Sequence, residues 1–412
     1  MEKLALLGGK AIASAIQIPA WPPTDEATAQ ALADVYRSGN WSFGGPREKQ
    51  FAADFAAAHD AQFGVFMANG TVTLQCALGV HGIGEGDEVI VPALTWPATA
   101  MAALYVGATP VFADIEAATL CLDPAAFEAA ITPRTRAVIP VHLYGGMADL
   151  EAIQEIAAKH GIVVIEDCAH AQGGRWNGRG LGSHGAVGSF SFQQSKTMAS
   201  GEGGICITND EDLADRVYRM KHIGYGDGSK QGAYSSGPPA GLTVYNFRAT
   251  EFQAVILQGQ LANLDALLEK YNRNAARLEE RLHGVNGVCV QSRGRLATRQ
   301  SYYAVGFVFD EAPLSDLPFS LIQQALGAEG LGMAGTYGVV YKHILFNVAP
   351  EKYHVAGCPI AETVGAERTG ILLHQILGAD GATINLIGEA IAKVAGNAAA
   401  LRAHADLQNV PE

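Results

Sequence analysis

Basic charge is scarce in this chain: lysine and arginine together number 28 against 41 aspartates and glutamates, for a formal net charge of -13. A nucleic acid or an anionic membrane surface needs a basic footprint, so neither is expected as a partner. Cysteine is sparse too. The six residues (Cys76, Cys121, Cys168, Cys206, Cys289 and Cys358) are widely spaced and lie mostly in apolar contexts. No CxxC and no Cys/His ligand spacing occurs, so no metal site is expected and the thiols read as small buried hydrophobes of a reducing compartment. No apolar run approaches a membrane span. The opening MEKLALLGGK has too short an apolar run for the core of a signal peptide and no cleavage pattern, which points to the cytoplasm. Internal repeats and extended linkers are missing as well. The glycine run GIGEGD at 82–87 precedes a strand instead of following one, so it is not a dinucleotide fingerprint.

What is present is a 412-residue chain, 49% hydrophobic, with 48 glycines scattered through apolar segments. That length allows one large domain and a smaller one. Helical spacing of apolar residues marks Asp25–Arg37 and Pro46–His59, with the loop SGNWSFGG between them. A strand-like run, Phe63–Met67, leads through Asn69-Gly70-Thr71 into a helix reaching Gly79. Strands and helices then alternate: DEVIVP, a helix over Pro97–Val106, TPVFADI, a helix over Pro124–Ile131, AVIPVHLYG, a helix over Ala148–His160, and GIVVIEDC. This alternation predicts an α/β domain with a mostly parallel sheet covered by helices on both faces, and functional residues on loops at strand ends. A helix over Glu211–Met220 is followed by a glycine- and serine-rich connector, Gly224–Gly241. One or two long amphipathic helices follow, from about Thr250 to Leu282. The remainder mixes strands (SYYAVGFVFD) with helices (Pro318–Leu326, Asn385–Ala403) and reads as a smaller α+β unit. The expected division is 18–250 and 251–412.

Four features carry chemistry. In Gly188–Gly204, GSFSFQQSKTMASGEGG, a buried strand breaks at Gln193 and Gln194, presents Lys196 and closes on glycines. A lysine sheltered there loses charge by desolvation and becomes a usable amine nucleophile. Asp167 ends the strand IVVIED, where a carboxylate needs a cationic partner or simply caps a turn. Trp96 ends another strand and offers an aromatic face or mere packing. Gly70-Thr71 opens a helix, which is an anion site or an ordinary cap. Together these are the parts that hold pyridoxal phosphate: Lys196 for an imine with its aldehyde, Asp167 for the pyridine nitrogen, Trp96 for the ring face, and Gly70, Thr71 and Ser191 for the phosphate.

The landmarks NGTVTLQCAL, GDEVIVPALTW, TPVFADI, PVHLYG, VIEDCAHAQGG, GSFSFQQSKTMASGEGG and YNFRATEFQAVIL, in this order, resemble the DegT/DnrJ/EryC1/StrS family of sugar aminotransferases, pyridoxal phosphate enzymes of fold type I. The resemblance runs from about residue 18 into the C-terminal unit. It implies that Lys196 and Asp167 are catalytic, that Gly70, Thr71, Trp96, His170 and Ser191 bind the cofactor, and that His170 stands near its ring hydroxyl. It also implies that Asn246 reaches the phosphate of a neighbouring subunit, hence a homodimer with shared sites. PAWPPTDEAT, SGNWSFGGP, QQSK, RQSYYAVGFVFD and ILLHQILGA are most similar to glutamine-dependent aminotransferases of keto-cyclitols from aminoglycoside biosynthesis. Aminohydroxybenzoate synthases and nucleotide-sugar aminotransferases are the alternatives. The substrate would be met by Gln194, Tyr225, Tyr303 and His343, with Arg248 either holding the donor's carboxylate or bracing a helix. Family dehydratases carry histidine in place of Lys196. A non-catalytic cofactor-binding regulator would bring a basic DNA-binding module, and none is visible.

Overall fold

The computed structural model describes residues 2–230, 232 and 237–408, so the connector 224–241 lies partly outside the described residues. The apolar runs form β1 (Phe63–Met67), β2 (Glu88–Pro92), β3 (Thr109–Ala113), β4 (Thr135–Val138) and β5 (Val163–Asp167). A short pair follows, β6 (Arg175–Trp176) and β7 (Arg179–Gly180), and then β8 (Val187–Ser191) and β9 (Gly204–Thr208). The main sheet has the order β1-β9-β8-β5-β4-β2-β3, with a last strand β14 (His354–Val355) on the β3 edge. β9 runs against β1 and β8; the other neighbouring pairs are parallel. The mostly parallel α/β sheet of fold type I is therefore observed. Its central strands β2 and β8 are buried along their whole length, which is why they read as continuous apolar or small-residue runs and not as alternating ones.

Helices cover both faces where the sequence places them: α1 (Glu26–Ser38), α2 (Pro46–Ala58), α3 (Gly70–Val80), α4 (Ala98–Tyr105), α5 (Pro124–Ala129), α6 (Leu150–His160) and α7 (Glu211–Lys221). Their starts follow from side-chain caps. Asp25 accepts Thr28 N–H at the head of α1, and Asn69 accepts the N–H groups of Thr71 and Val72 at the head of α3. The long amphipathic stretch is one helix, α8 (Glu251–Leu282), opened by a capping box between Thr250 and Gln253. It buries Ala254, Leu257, Leu264, Leu268, Tyr271, Ala275, Leu278 and Leu282, a single helical stripe that joins Phe51, Phe55 and Phe192 of the large unit to Phe307, Ile322 and Ile387 of the small one in one core cluster.

Beyond α8, a four-stranded antiparallel sheet has the order β10 (Cys289–Val290), β12 (Ala304–Val308), β15 (Thr369–Leu373), β13 (Ala334–Gly335). It packs with α9 (Phe319–Ala328) and with α10 (Gly381–Gly396) and α11 (Ala398–Gln408). A third sheet adds β11 (Ala297–Arg299) to β6 and β7. The helix expected over Asn385–Ala403 is thus two: Asp380 caps an earlier start through Thr383 N–H, and the helix breaks at Asn397. The chain also crosses back over position 250. Residues 336–349 form a strap along the main sheet, with Val340 N–H on Ala93 O. His354–Val355 then pairs with Val111–Phe112, and Asp114 fastens the next turn through the N–H groups of Ile360 and Ala361.

Candidate active site

A cavity of about 770 Å³ opens at the carboxyl ends of the parallel strands, where ligands of open α/β sheets bind. Gly70 and Thr71 follow β1, Trp96 follows β2, Asp167 ends β5, Ser191 ends β8, and Lys196 sits on the loop after it; all line the cavity, together with His170 and Tyr303. Strand order brings distant sequence together. β5 and β8 are neighbours with Asp167 opposite Ser189, and Ser191 pairs with Gly204, which in turn pairs with Met67 at the end of β1.

The Lys196 loop is closed by Phe192 N–H on Gly203 O, Gln194 N–H on Gly201 O and Ser200 N–H on Phe192 O. The lysine amine lies 4.5 Å from the centre of the Tyr303 ring. Burial lowers its pKa to about 8, opposed by the charge of Asp167. Asp167 is buried and accepts Thr99 Oγ1–H at 2.8 Å and Ala169 N–H at 3.2 Å; Thr99 is itself bonded to Thr95. Burial raises the carboxyl pKa above its ordinary value, against the hydrogen bond from Thr99. This is a buried acid in want of a cation. His170 Nδ1 accepts Tyr144 N–H, so the ring proton resides on Nε2, 3.5 Å from the Tyr337 hydroxyl. Burial, reinforced by the charge of Lys196, keeps the His170 pKa well below the usual histidine range. Its ring stacks on Tyr303 at 3.8 Å.

These residues suit pyridoxal phosphate. At the cavity wall the start of α3 meets the end of β8 so closely that a Cβ added to Gly70 would come within 2.7 Å of Ser191 Cβ, and Gly70 and the hydroxyl-bearing Thr71 and Ser191, the groups suited to a phosphate, line the cavity there. Asp167 offers a ring nitrogen the charge partner that its burial calls for. Beneath it, Glu166 is saturated: it takes the N–H groups of Gly182, His184 and Gly185 and faces His142 Nε2 at 3.4 Å, while His142 Nδ1 accepts Ala148 N–H. His142 and Glu166 thus brace each other and the backbone, and Cys168 Sγ lies within 4.8 Å of their polar atoms.

The substrate residues expected from sequence divide. Tyr303 lines the cavity and meets Ser195 Oγ at 3.1 Å. Of the glutamine pair, Gln193 lines the cavity, with its Oε1 held by Ser195, whereas Gln194 is exposed outside the lining. The turn reverses there, and composition alone does not tell which neighbour faces inward. Trp96 stands at the mouth, 44% exposed, edge-on to Tyr337 and His343, so His343 reaches the rim and not the floor. Tyr225, Asn246 and Arg248 are apart from this cavity. Tyr225 packs on Phe43, Asn246 pairs across to His222, and the Arg248 guanidinium lies 5.4 Å from the Phe43 ring. Sequence reasoning did not assign Thr95, Thr99, Tyr144 and Ser195. The i,i+4 spacing of Thr95 and Thr99 is the one local signal they carry.

Residues 22–389 match the DegT/DnrJ/EryC1/StrS aminotransferase family. The L-glutamine:2-deoxy-scyllo-inosose aminotransferase of Micromonospora echinospora is 38% identical over 98% of this chain and 100% of its own. That of Streptomyces kanamyceticus is 40% identical over 82% of each. Among solved structures, 3-amino-5-hydroxybenzoic acid synthase superposes with a TM-score of 0.82 at 31% identity, covering 93% of this chain and 100% of the other. DesI, crystallised in the presence of its TDP-sugar product, superposes with a TM-score of 0.83 at 29% identity over 98% and 99%.

Proposed function

Because this chain belongs to the DegT/DnrJ/EryC1/StrS family and is a pyridoxal-phosphate-dependent aminotransferase, we propose that it moves the amino group of L-glutamine, or of glutamate, to a cyclic polyol ketone, in the making of an aminocyclitol antibiotic or a related secondary metabolite. One observation carries the choice of acceptor. Among the cavity-lining residues Lys196 is the sole cation, and the rest of the polar lining consists of hydroxyls, amides, a neutral imidazole and the two acids Asp167 and Glu202. Such a lining recognises a neutral polyol by hydrogen bonds. A diphosphate-bearing nucleotide sugar would want cations there.

When bound, pyridoxal phosphate supplies the carbon that takes and gives the amino group and the ring that spreads the resulting charge. The residues have separate duties. Gly70, Thr71 and Ser191 would hold the phosphate, Trp96 would cover a ring face, and Asp167 would keep its negative charge against the ring nitrogen. His170 would donate its Nε2–H to the ring hydroxyl. Lys196, with a pKa of about 8, is a partly free amine at neutral pH and so can both accept a proton from a substrate carbon and return it. The exchange balances without an oxidant: donor amine and acceptor ketone become donor ketone and acceptor amine.

We read 18–250 as the cofactor-binding unit and 251–412 as the smaller one. A homodimer follows from the family resemblance, and this chain's own residues suit it. Asn246 is exposed, and Arg248 has no ion-pair partner among the described residues. Asn246 would then serve the neighbour's phosphate site and Arg248 the donor's carboxylate. The cytoplasm is the expected location; no described helix is long and apolar enough to cross a membrane. The test is spectroscopic. Glutamine alone should convert the holoenzyme absorbance to that of the amine form, and a keto-cyclitol should then restore it while a nucleotide-keto-sugar does not. Restoration by the nucleotide sugar alone would overturn the acceptor assignment.

A further inference from the structure

Two consecutive carbonyls, those of Ser195 and Lys196, are each held by a ring N–H from elsewhere in the chain. Nε2 of His374, directly after β15, lies 3.1 Å from Ser195 O. The indole Nε1 of Trp21 donates to Lys196 O at 3.0 Å. The two rings meet edge to face, with centroids 4.6 Å apart. On its other side His374 Nδ1 lies 3.0 Å from the hydroxyl of Tyr271, which comes from the middle of α8. His374 and Tyr271 are both fully enclosed. A carbonyl only accepts, so Nε2 must carry the proton, and Nδ1 is left to accept the Tyr271 hydroxyl. One neutral tautomer satisfies both contacts.

We propose that His374, aligned by Tyr271 and paired with Trp21, is a positioning residue that fixes the peptide bearing Lys196 and thereby the direction from which its amine enters the cavity. The proposal rests on Lys196 being the reacting amine. None of the three residues lines the cavity. They act through the backbone: a lysine side chain has four rotatable bonds, and holding the peptide on both sides of its Cα removes the variation at the root of that chain. Released from the clamp, the peptide can turn and the amine can reach water. The groups facing the amine are Asp167, the Tyr303 ring and the neutral rings of His170 and His374. Burial holds the amine's proton affinity down against the charge of Asp167, so added hydration raises it.

The apoprotein tests this directly. Lys196 reductive methylation is followed by peptide mass spectrometry from about pH 6 to about pH 10, with the exposed Lys159 as internal reference. In the parent, Lys196 should titrate near 8. In His374→Phe and in Trp21→Phe the midpoint should rise by about one unit, roughly tenfold less free amine at neutral pH. His374→Gln, whose amide nitrogen can take the place of Nε2, should restore the parent midpoint. A folded His374→Phe with an unchanged Lys196 midpoint would make the ring simple packing and overturn the proposal. If that variant does not fold, an unchanged midpoint in Trp21→Phe, where the ring is only half-buried, overturns it equally. The reading of Lys196 itself fails by a different result, namely turnover retained in Lys196→Ala, and the titration would stand apart from it.

Discussion

Replacing Gly70 by alanine sets two effects of opposite sign against each other. Gly70 is the first residue of α3, where alanine is the better helix former by about 1 kcal/mol. The added Cβ, however, would lie 2.7 Å from Ser191 Cβ and 3.2 Å from both its Cα and its Oγ. The Ser191 backbone is fixed in β8 by its pairing with Gly204, so the contact cannot be relieved by turning a flexible side chain. Overpacking of this kind costs about 1–3 kcal/mol. The apoprotein should therefore lose only about 0–2 kcal/mol in urea unfolding. The holoprotein should lose more, because the displaced Ser191 is itself a proposed phosphate contact. A tenfold to hundredfold rise in the dissociation constant of pyridoxal phosphate is expected, about 1.4 kcal/mol per tenfold. Gly327→Ala, at a helical glycine with nothing within 4 Å of the new Cβ, is the control and should be neutral or slightly stabilising. If Gly70→Ala bound the cofactor as tightly as the parent, the phosphate would not lie between α3 and β8.

Lys196→Ala should abolish transamination while the protein folds and still binds preformed pyridoxamine phosphate; single-cycle turnover at the parent rate would remove the lysine from the mechanism. Asp167→Asn should keep the cofactor weakly and lose several orders of magnitude in rate, because a neutral amide cannot hold the ring nitrogen protonated; near-parent activity in the folded variant would make Asp167 structural. Acid should destabilise the fold before the carboxylates titrate. His59 is buried, with Nδ1 on Phe55 O and Nε2 accepting Gly173 N–H, and burial lowers its pKa to about 4. Its folded pKa lies below the unfolded one of about 6.5, so the stability it contributes is present above that value and is lost at about 1.4 kcal/mol per unit as pH falls toward 4. Urea unfolding at pH 7 and pH 5 in parent and His59→Gln should show a smaller loss in the variant; equal losses would assign the acid sensitivity to other groups.

The parts of the site built from contiguous residues were legible in the sequence. A strand that ends in Asp167, a strand that breaks into the Lys196 loop and a helix that starts at Gly70 each carry their signal within a few residues, and the parallel sheet needed only their alternation with helices. What escaped depends on long-range placement. His354–Val355 is too short to show strand periodicity, and it becomes a strand because β3 offers it an unpaired edge. Gln193 and Gln194 differ in role by the reversal of one turn. Tyr144, with a positive φ of 57°, aims its backbone N–H at His170 for reasons no local pattern carries. Asn246 joins the site by family resemblance, Tyr225 as a hydrogen-bonding side chain of a candidate substrate loop and Arg248 as a candidate partner of the donor's carboxylate, and a single chain leaves all three outside the cavity it forms.

The strand β14 has a consequence for how this protein is made. The β3 edge of the cofactor-binding sheet is paired only by residues 354–355, which leave the ribosome after most of the chain. Until then that edge presents free backbone N–H and C=O groups beside one of the most apolar parts of the molecule, the arrangement that invites pairing with another nascent chain. Completion of the sheet thus waits on the C-terminal unit, although the catalytic lysine and its carboxylate partner are synthesised well before. A chain cut short ahead of residue 354 would hold every cavity-lining group and still carry an open, adhesive edge.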